Sequence, residues 1–153
     1  MAEEEVEFVR GLVGGLVGID WVPIFADEAQ RHAFAAAFEP MLDPECEFFA
    51  STGGMAALDG EYKGREAAID AYMALWSEWL NTWETYVGEL EEIRELPDGR
   101  ILVLLRNRSR SKAAGIEIEG EHGLIYTVRD SRVLRLEQYL DRNEALEAAG
   151  LRE

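Results

Sequence analysis

The chain has 153 residues, enough for one domain with a sizeable interior, and its 48% hydrophobic and 30% charged residues are those of an ordinary globular protein. Its 31 acidic against 15 basic side chains leave a formal net charge of -16, which repels nucleic acid and anionic lipid and removes both from the expected partners. The single cysteine, Cys46, excludes an internal disulfide, and two histidines offer no zinc-finger spacing, so the expectation is a reducing cytoplasm with no metal and no cofactor.

Met1-Ala2-Glu3-Glu4-Glu5 is acidic where a secretory leader is basic. The apolar stretch 12–22 is short, broken by glycine and interrupted by Asp20, so it is no membrane span. Residues 3–17 read as a helix with Val6, Val9, Val13 and Leu16 near one face. Gly11, Gly14 and Gly15 each cost it about 1 kcal/mol relative to alanine, unless they permit close packing. Asp27 suits the N-cap of a second helix that runs to about Phe38 and is ended by Pro40. Asp43-Pro44 is a turn, Glu45-Cys46-Glu47-Phe48 alternates like a strand, 51–60 is a loop of small residues, and Glu61-Tyr62-Lys63 is a short extended piece.

The strongest helix spans about 65–81, where Ile69, Tyr72, Met73, Trp76, Trp79, Leu80 and, just beyond, Trp83 recur at three- and four-residue spacing. So wide an aromatic stripe is core more often than a ligand cage, and both readings hold if its outer end lines a cavity.

Four β segments follow at about 84–97, 100–112, 115–129 and 132–142. Two-residue loops at Asp98-Gly99 and Ala113-Ala114 set Arg110, Arg108 and Arg106 opposite Glu117, Glu119 and Glu121, and set Glu91 and Glu89 opposite Arg106 and Arg108. The ladder accounts for these arginines better than an anion clamp does. Alternation then puts Ile101, Val103, Leu105, His122, Leu124, Tyr126 and Val128 on the other face. Strands of ~13 residues reach ~43 Å, so the sheet must twist and wrap around the preceding helix. A short helical turn at 143–150, capped by Asn143, ends the pattern.

A three-residue third hairpin loop with Ser131 left-handed places His122 between Leu105 and Gln138, with Glu92 beyond Leu105 and Asn107 diagonal to it. Glu92, Asn107, His122 and Gln138 then form one polar patch on an apolar surface. His122 beside the Glu92 carboxylate is a candidate general base, although such groups more often satisfy one another or a buried water. His32 reads as a surface residue, and Cys46 as a small buried hydrophobe with no partner base.

Asp43-Pro44-Glu45-Cys46-Glu47-Phe48 resembles the strand entry of SnoaL-like proteins, Tyr62-Lys63-Gly64-Arg65-Glu66-Ala67-Ala68-Ile69 their helix entry, and residues 139–150 their common ending. The resemblance implies an α+β fold, a curved antiparallel sheet wrapped around helices into a cone with a blind pocket, the cystatin-like or nuclear transport factor 2-like architecture. The chain then reads as one domain over 1–153 with an extra helical insertion at about 18–41 that reshapes or lids the pocket mouth. Ketosteroid isomerase shares this fold, but its base aligns with Phe49 and its acidic donor with Leu124, both apolar here, which speaks against that mechanism.

A small hydrophobic molecule is the expected partner, held by Tyr72, Trp76, Trp79, Asn107, Tyr126 and Gln138, with His122 and Glu92 as catalytic candidates. The readings left open are a cofactor-free cyclase, isomerase or hydrolase, a non-catalytic binding module, and a packed cone serving dimerisation. Homodimerisation on the outer sheet surface is expected, with Val87, Ile93, Ile125, Val133 and Tyr139 as an apolar patch.

Overall fold

In a computed structural model, which describes residues 2–53 and 56–151, the long alternating segments form the expected wrapped sheet. In chain order the elements are α1 (Ala2–Gly14), α2 (Val22–Ala26), α3 (Glu28–Phe38), β1 (Leu42–Ser51), β2 (Gly60–Lys63), α4 (Arg65–Leu80), β3 (Trp83–Glu95), β4 (Ile101–Ser111), β5 (Glu117–Arg129), β6 (Arg132–Tyr139) and α5 (Arg142–Ala148). The sheet order is β2-β1-β6-β5-β4-β3. Neighbours are antiparallel except β1 and β6, which run parallel.

The β4–β5 register is the expected one, with Arg106, Arg108 and Arg110 opposite Glu121, Glu119 and Glu117. The loop itself has four residues, closed by Ser111 N donating to Ile116 O at 2.9 Å, and two- and four-residue loops share one register. The β3–β4 register differs. Leu96 N donates to Arg100 O at 2.7 Å and Gly99 N to Leu96 O at 2.9 Å, so the loop is Pro97-Asp98-Gly99. Proline fixes a negative φ suited to the first corner of a type I turn, and Gly99, at φ +91°, completes the bulge behind it. A second irregularity lies between Leu90 and Glu92, so Glu89 faces Arg106 and Val87 faces Arg108. The two ion pairs survive diagonally, Glu91–Arg106 at 3.1 Å and Glu89–Arg108 at 2.9 Å, because the arginine side chain is long enough to reach.

The main core lies between the concave face and the helices α1 and α4, where Val9, Val13, Phe48, Leu75 and Tyr126 are buried. No atom stands within 4 Å of where Gly11 or Gly14 would carry a side chain, so these glycines serve no close packing. Cys46 is buried as a small hydrophobe, and burial pushes its thiol up to about 12.

On the convex face α5 presses Ala145, Leu146 and Ala149 against Leu102, Leu104, Ile125 and Tyr139. Gly123 permits that approach, since a Cβ there would overlap the Ala145 methyl. The expected outer apolar patch is therefore not a patch: Ile125 and Tyr139 lie beneath α5, while Val133 and Ile93 belong to the main core. Outside stands the charge ladder, which Arg142 of α5 joins through Glu91 at 3.5 Å and Glu121 at 3.7 Å.

Candidate functional site

Between α4, the concave face of the sheet and the segment that precedes β1 is a cavity of about 60 Å³. Helix α4 presents Tyr72, Trp76 and Leu80 to it at four-residue spacing, one stripe of a 3.6-residue period. The sheet supplies Tyr86 and Gly88 from β3, Leu105 from β4, His122 and Leu124 from β5, and Gln138 from β6. The remaining wall comes from the chain between α1 and β1: Leu16, Val17, Trp21, Phe25 and Phe34.

That outer wall is an aromatic chain of contacts. Trp21 meets Phe34 edge to face at 5.2 Å between centroids, and Phe34 stacks on Tyr72 at 6.3 Å. The segment before α2 is tied to the edge of β3. Gly18 N donates to Gly88 O at 2.8 Å, Trp21 N donates to Tyr86 O at 3.2 Å, and the Asp20 carboxylate accepts from Tyr86 N and Val22 N, each at 3.1 Å. Asp27 caps α3 as its sequence position implies, accepting from Ala29 N at 2.9 Å and Gln30 N at 3.3 Å.

Against this apolar lining stand a few polar groups without protein partners. Gln138 is 1% exposed, and neither its amide nitrogen nor its oxygen is hydrogen-bonded. His122 is 4% exposed, with Nδ1 unpartnered, and its ring lies 6.0 Å from that of Trp76, whose indole N–H is also unpartnered. Burial alone drives the imidazole pKa down to about 4, so the ring is neutral at physiological pH. Burial likewise pushes the Tyr86 phenol well above its ordinary range.

Of the residues nominated from sequence, Tyr72, Trp76, His122 and Gln138 line this cavity, and Glu92, Trp79, Asn107 and Tyr126 do not. Glu92 pairs with Leu104 rather than Leu105, and its carboxylate binds Arg94 at 2.6 Å on the outer side. The shorter expected loop mispaired it by one residue, and a one-residue slip turns a side chain to the opposite face. No Glu92–His122 pair exists. Gln138 was also mispaired, but by two, which preserves the face. The third loop is Asp130-Ser131, both left-handed at φ +53° and +58°, and an irregularity between Thr127 and Val128 leaves Gln138 opposite Leu124. Asn107 is buried and donates to Ser109 Oγ at 3.0 Å, Tyr126 is sealed in the core, and Trp79 packs edge to face on Trp83 at 5.7 Å.

The wall residues of the insertion and Tyr86 were not singled out from sequence. Their signal was the four-residue spacing of Trp21 with Phe25 and of Phe34 with Phe38, which reads as two short apolar helix faces needing something to cover.

No protein-family model matches the chain, and no curated protein matches it in sequence. Solved structures do match. The fold is similar to that of a putative SnoaL-like polyketide cyclase from Jannaschia sp., at 13% identity and TM-score 0.54, covering 82% of this chain and 81% of that one. It is similar to TerC co-crystallised with polyporic acid, at 19% identity and TM-score 0.52, covering 78% and 92%. A nuclear transport factor 2-like protein of unknown function from Burkholderia pseudomallei matches at 20% identity and TM-score 0.52, covering 76% and 88%. The chain has the cone fold of nuclear transport factor 2-like, ketosteroid isomerase-like and SnoaL-like proteins. Identities this low speak for the fold alone, and chemistry resides in the pocket. No helix among the described residues is long and apolar enough to cross a membrane.

Proposed function

We propose that the cavity binds a small, neutral, largely apolar organic molecule that carries a hydrogen-bond acceptor such as a carbonyl oxygen. The observation that carries this reading is the set of buried, unpartnered groups on cavity-lining residues: the Gln138 amide, His122 Nδ1, the Trp76 indole N–H and the Tyr86 hydroxyl. Leaving such a group unmet costs about 1–3 kcal/mol. Four of them amount to a large fraction of the roughly 5–15 kcal/mol that stabilises a typical domain. Water or a ligand is therefore needed to meet them. The indole N–H and the amide nitrogen donate and so call for an acceptor on the ligand, while the amide oxygen accepts and is left to a water or a ligand donor.

Charge supports a neutral ligand. None of the lining residues is a carboxylate, lysine or arginine, and His122 is uncharged. A buried ion would lack a counter-charge, which is costly. The cofactor-free catalytic reading is weaker than binding, because His122 has no carboxylate beside it and a base of pKa about 4 abstracts protons poorly at neutral pH.

Isothermal titration with acetophenone tests the proposal. Saturable one-to-one binding is expected in the wild-type protein, weakened about tenfold or more in Gln138→Leu, which corresponds to one lost buried hydrogen bond. Absence of saturable binding, or equal affinity in the variant, contradicts it.

A further inference from the structure

We infer that the insertion from Gly18 through α3 is a movable lid whose Phe34 and Trp21 set the upper size of the ligand; this rests on the binding reading above. The cavity measures about 60 Å³. An apolar cavity that takes up benzene is nearer 150 Å³, so a ring-bearing molecule enters only if part of the wall yields. The wall formed by α4 and the sheet is the better buried side, with Tyr72, Leu105, His122, Leu124 and Gln138 each at most 8% exposed and set on long elements.

The insertion is held differently. Phe34 and Trp21 are only half-buried, and α3 turns most of its surface to solvent. The tie between insertion and sheet is a short strip at one edge of β3, where Gly18 and Trp21 donate to Gly88 and Tyr86 and the Asp20 carboxylate accepts from Tyr86. Phe25 and Phe38 anchor the insertion in the buried clusters, so the part of it able to yield is the half-exposed outer side that carries Trp21 and Phe34. Gly18, at φ +75°, sits where the chain leaves α1 for this strip. The strip ends on Tyr86 of β3, which lines the cavity, and Trp21 of the insertion lines it too, so the tie borders the cavity. Phe34 contacts Trp21, Phe25, Phe38 and Tyr72. Removing its ring opens the outer wall without touching Gln138, His122 or Trp76.

The test compares acetophenone with 2-acetylnaphthalene, the same acceptor on one ring and on two, by titration of the wild-type protein, Phe34→Ala and the milder Phe34→Leu. The wild-type protein should favour the one-ring ketone by about tenfold or more, the penalty typical of a misfit group in an apolar pocket. Both variants should reduce that ratio, Phe34→Ala the more. Amide exchange gives a second readout: Gly18 and Trp21 amides should exchange faster than those inside β4 and slow on saturation with acetophenone. An unchanged ratio in both variants, with acetophenone still bound, overturns the lid alone. Gly18 and Trp21 amides as protected as β4 do so as well. No acetophenone binding to the wild-type protein overturns the binding reading and the lid with it.

Discussion

Replacing Gln138 by leucine separates a binding residue from a structural one. The side chain lies on β6 with 1% of its surface exposed, and both amide atoms lack protein partners. Wholly unmet, two such atoms would cost about 2–6 kcal/mol, at roughly 1–3 kcal/mol each. The cavity has room for a few waters, which recover much of that. A water needs on the order of 10–15 Å³ of such space, and about 60 Å³ is present. Leucine has nearly the same volume and no polar atoms, so the expected result is a gain of about 1–2 kcal/mol in the ligand-free protein. For a chain of this size that is a rise in Tm of about 2–8 °C. Urea denaturation and calorimetry measure it, beside a loss of acetophenone binding. A gain in stability bought with lost binding is the usual mark of a functional polar group. Destabilisation by about 1 kcal/mol or more would refute the reasoning, because it would make the amide a favourable part of the packed core.

His122 should make the fold acid-sensitive. Its folded pKa lies near 4, below the ordinary 6.5, so the neutral ring's contribution is fully present above 6.5 and is lost as pH falls from there towards 4. By pH 5 the wild-type protein should have lost about 2 kcal/mol relative to His122→Phe, read as the difference between their urea curves. Gly123→Ala should cost about 1–3 kcal/mol in the same assay, since the added methyl forces α5 off the convex face. Ser131→Gly should stabilise by about 0.5–1 kcal/mol, because Ser131 is left-handed at φ +58° and glycine adopts that conformation freely.

What was legible in the sequence was local or periodic. The β4–β5 pairing followed from three Arg–Glu pairs whose register is indifferent to whether the loop has two residues or four. The faces of His122 and Gln138 came out correctly because a two-residue error leaves alternation intact, and Glu92 was lost because a one-residue error does not. Pro97 was the missed clue, as it selects a longer turn than Asp98-Gly99 alone suggests. The parallel meeting of β1 with β6 joins segments about ninety residues apart, and no local pattern encodes it. The aromatic outer wall was hidden for a related reason. Trp21, Phe25 and Phe34 sit on short helices whose apolar sides gain meaning only once the cone beneath them exists.

The central claim is that the unpartnered groups lining the cavity exist to meet something that is not protein. A high-resolution crystal structure of the protein grown with acetophenone tests this most directly. The account predicts density for the ketone inside the cavity, its oxygen within hydrogen-bond distance of Gln138 or the Trp76 indole nitrogen, with Phe34 displaced outward. An empty cavity, with Gln138 and His122 turned to hydrogen-bond within the protein and the aromatic wall unmoved, would contradict it.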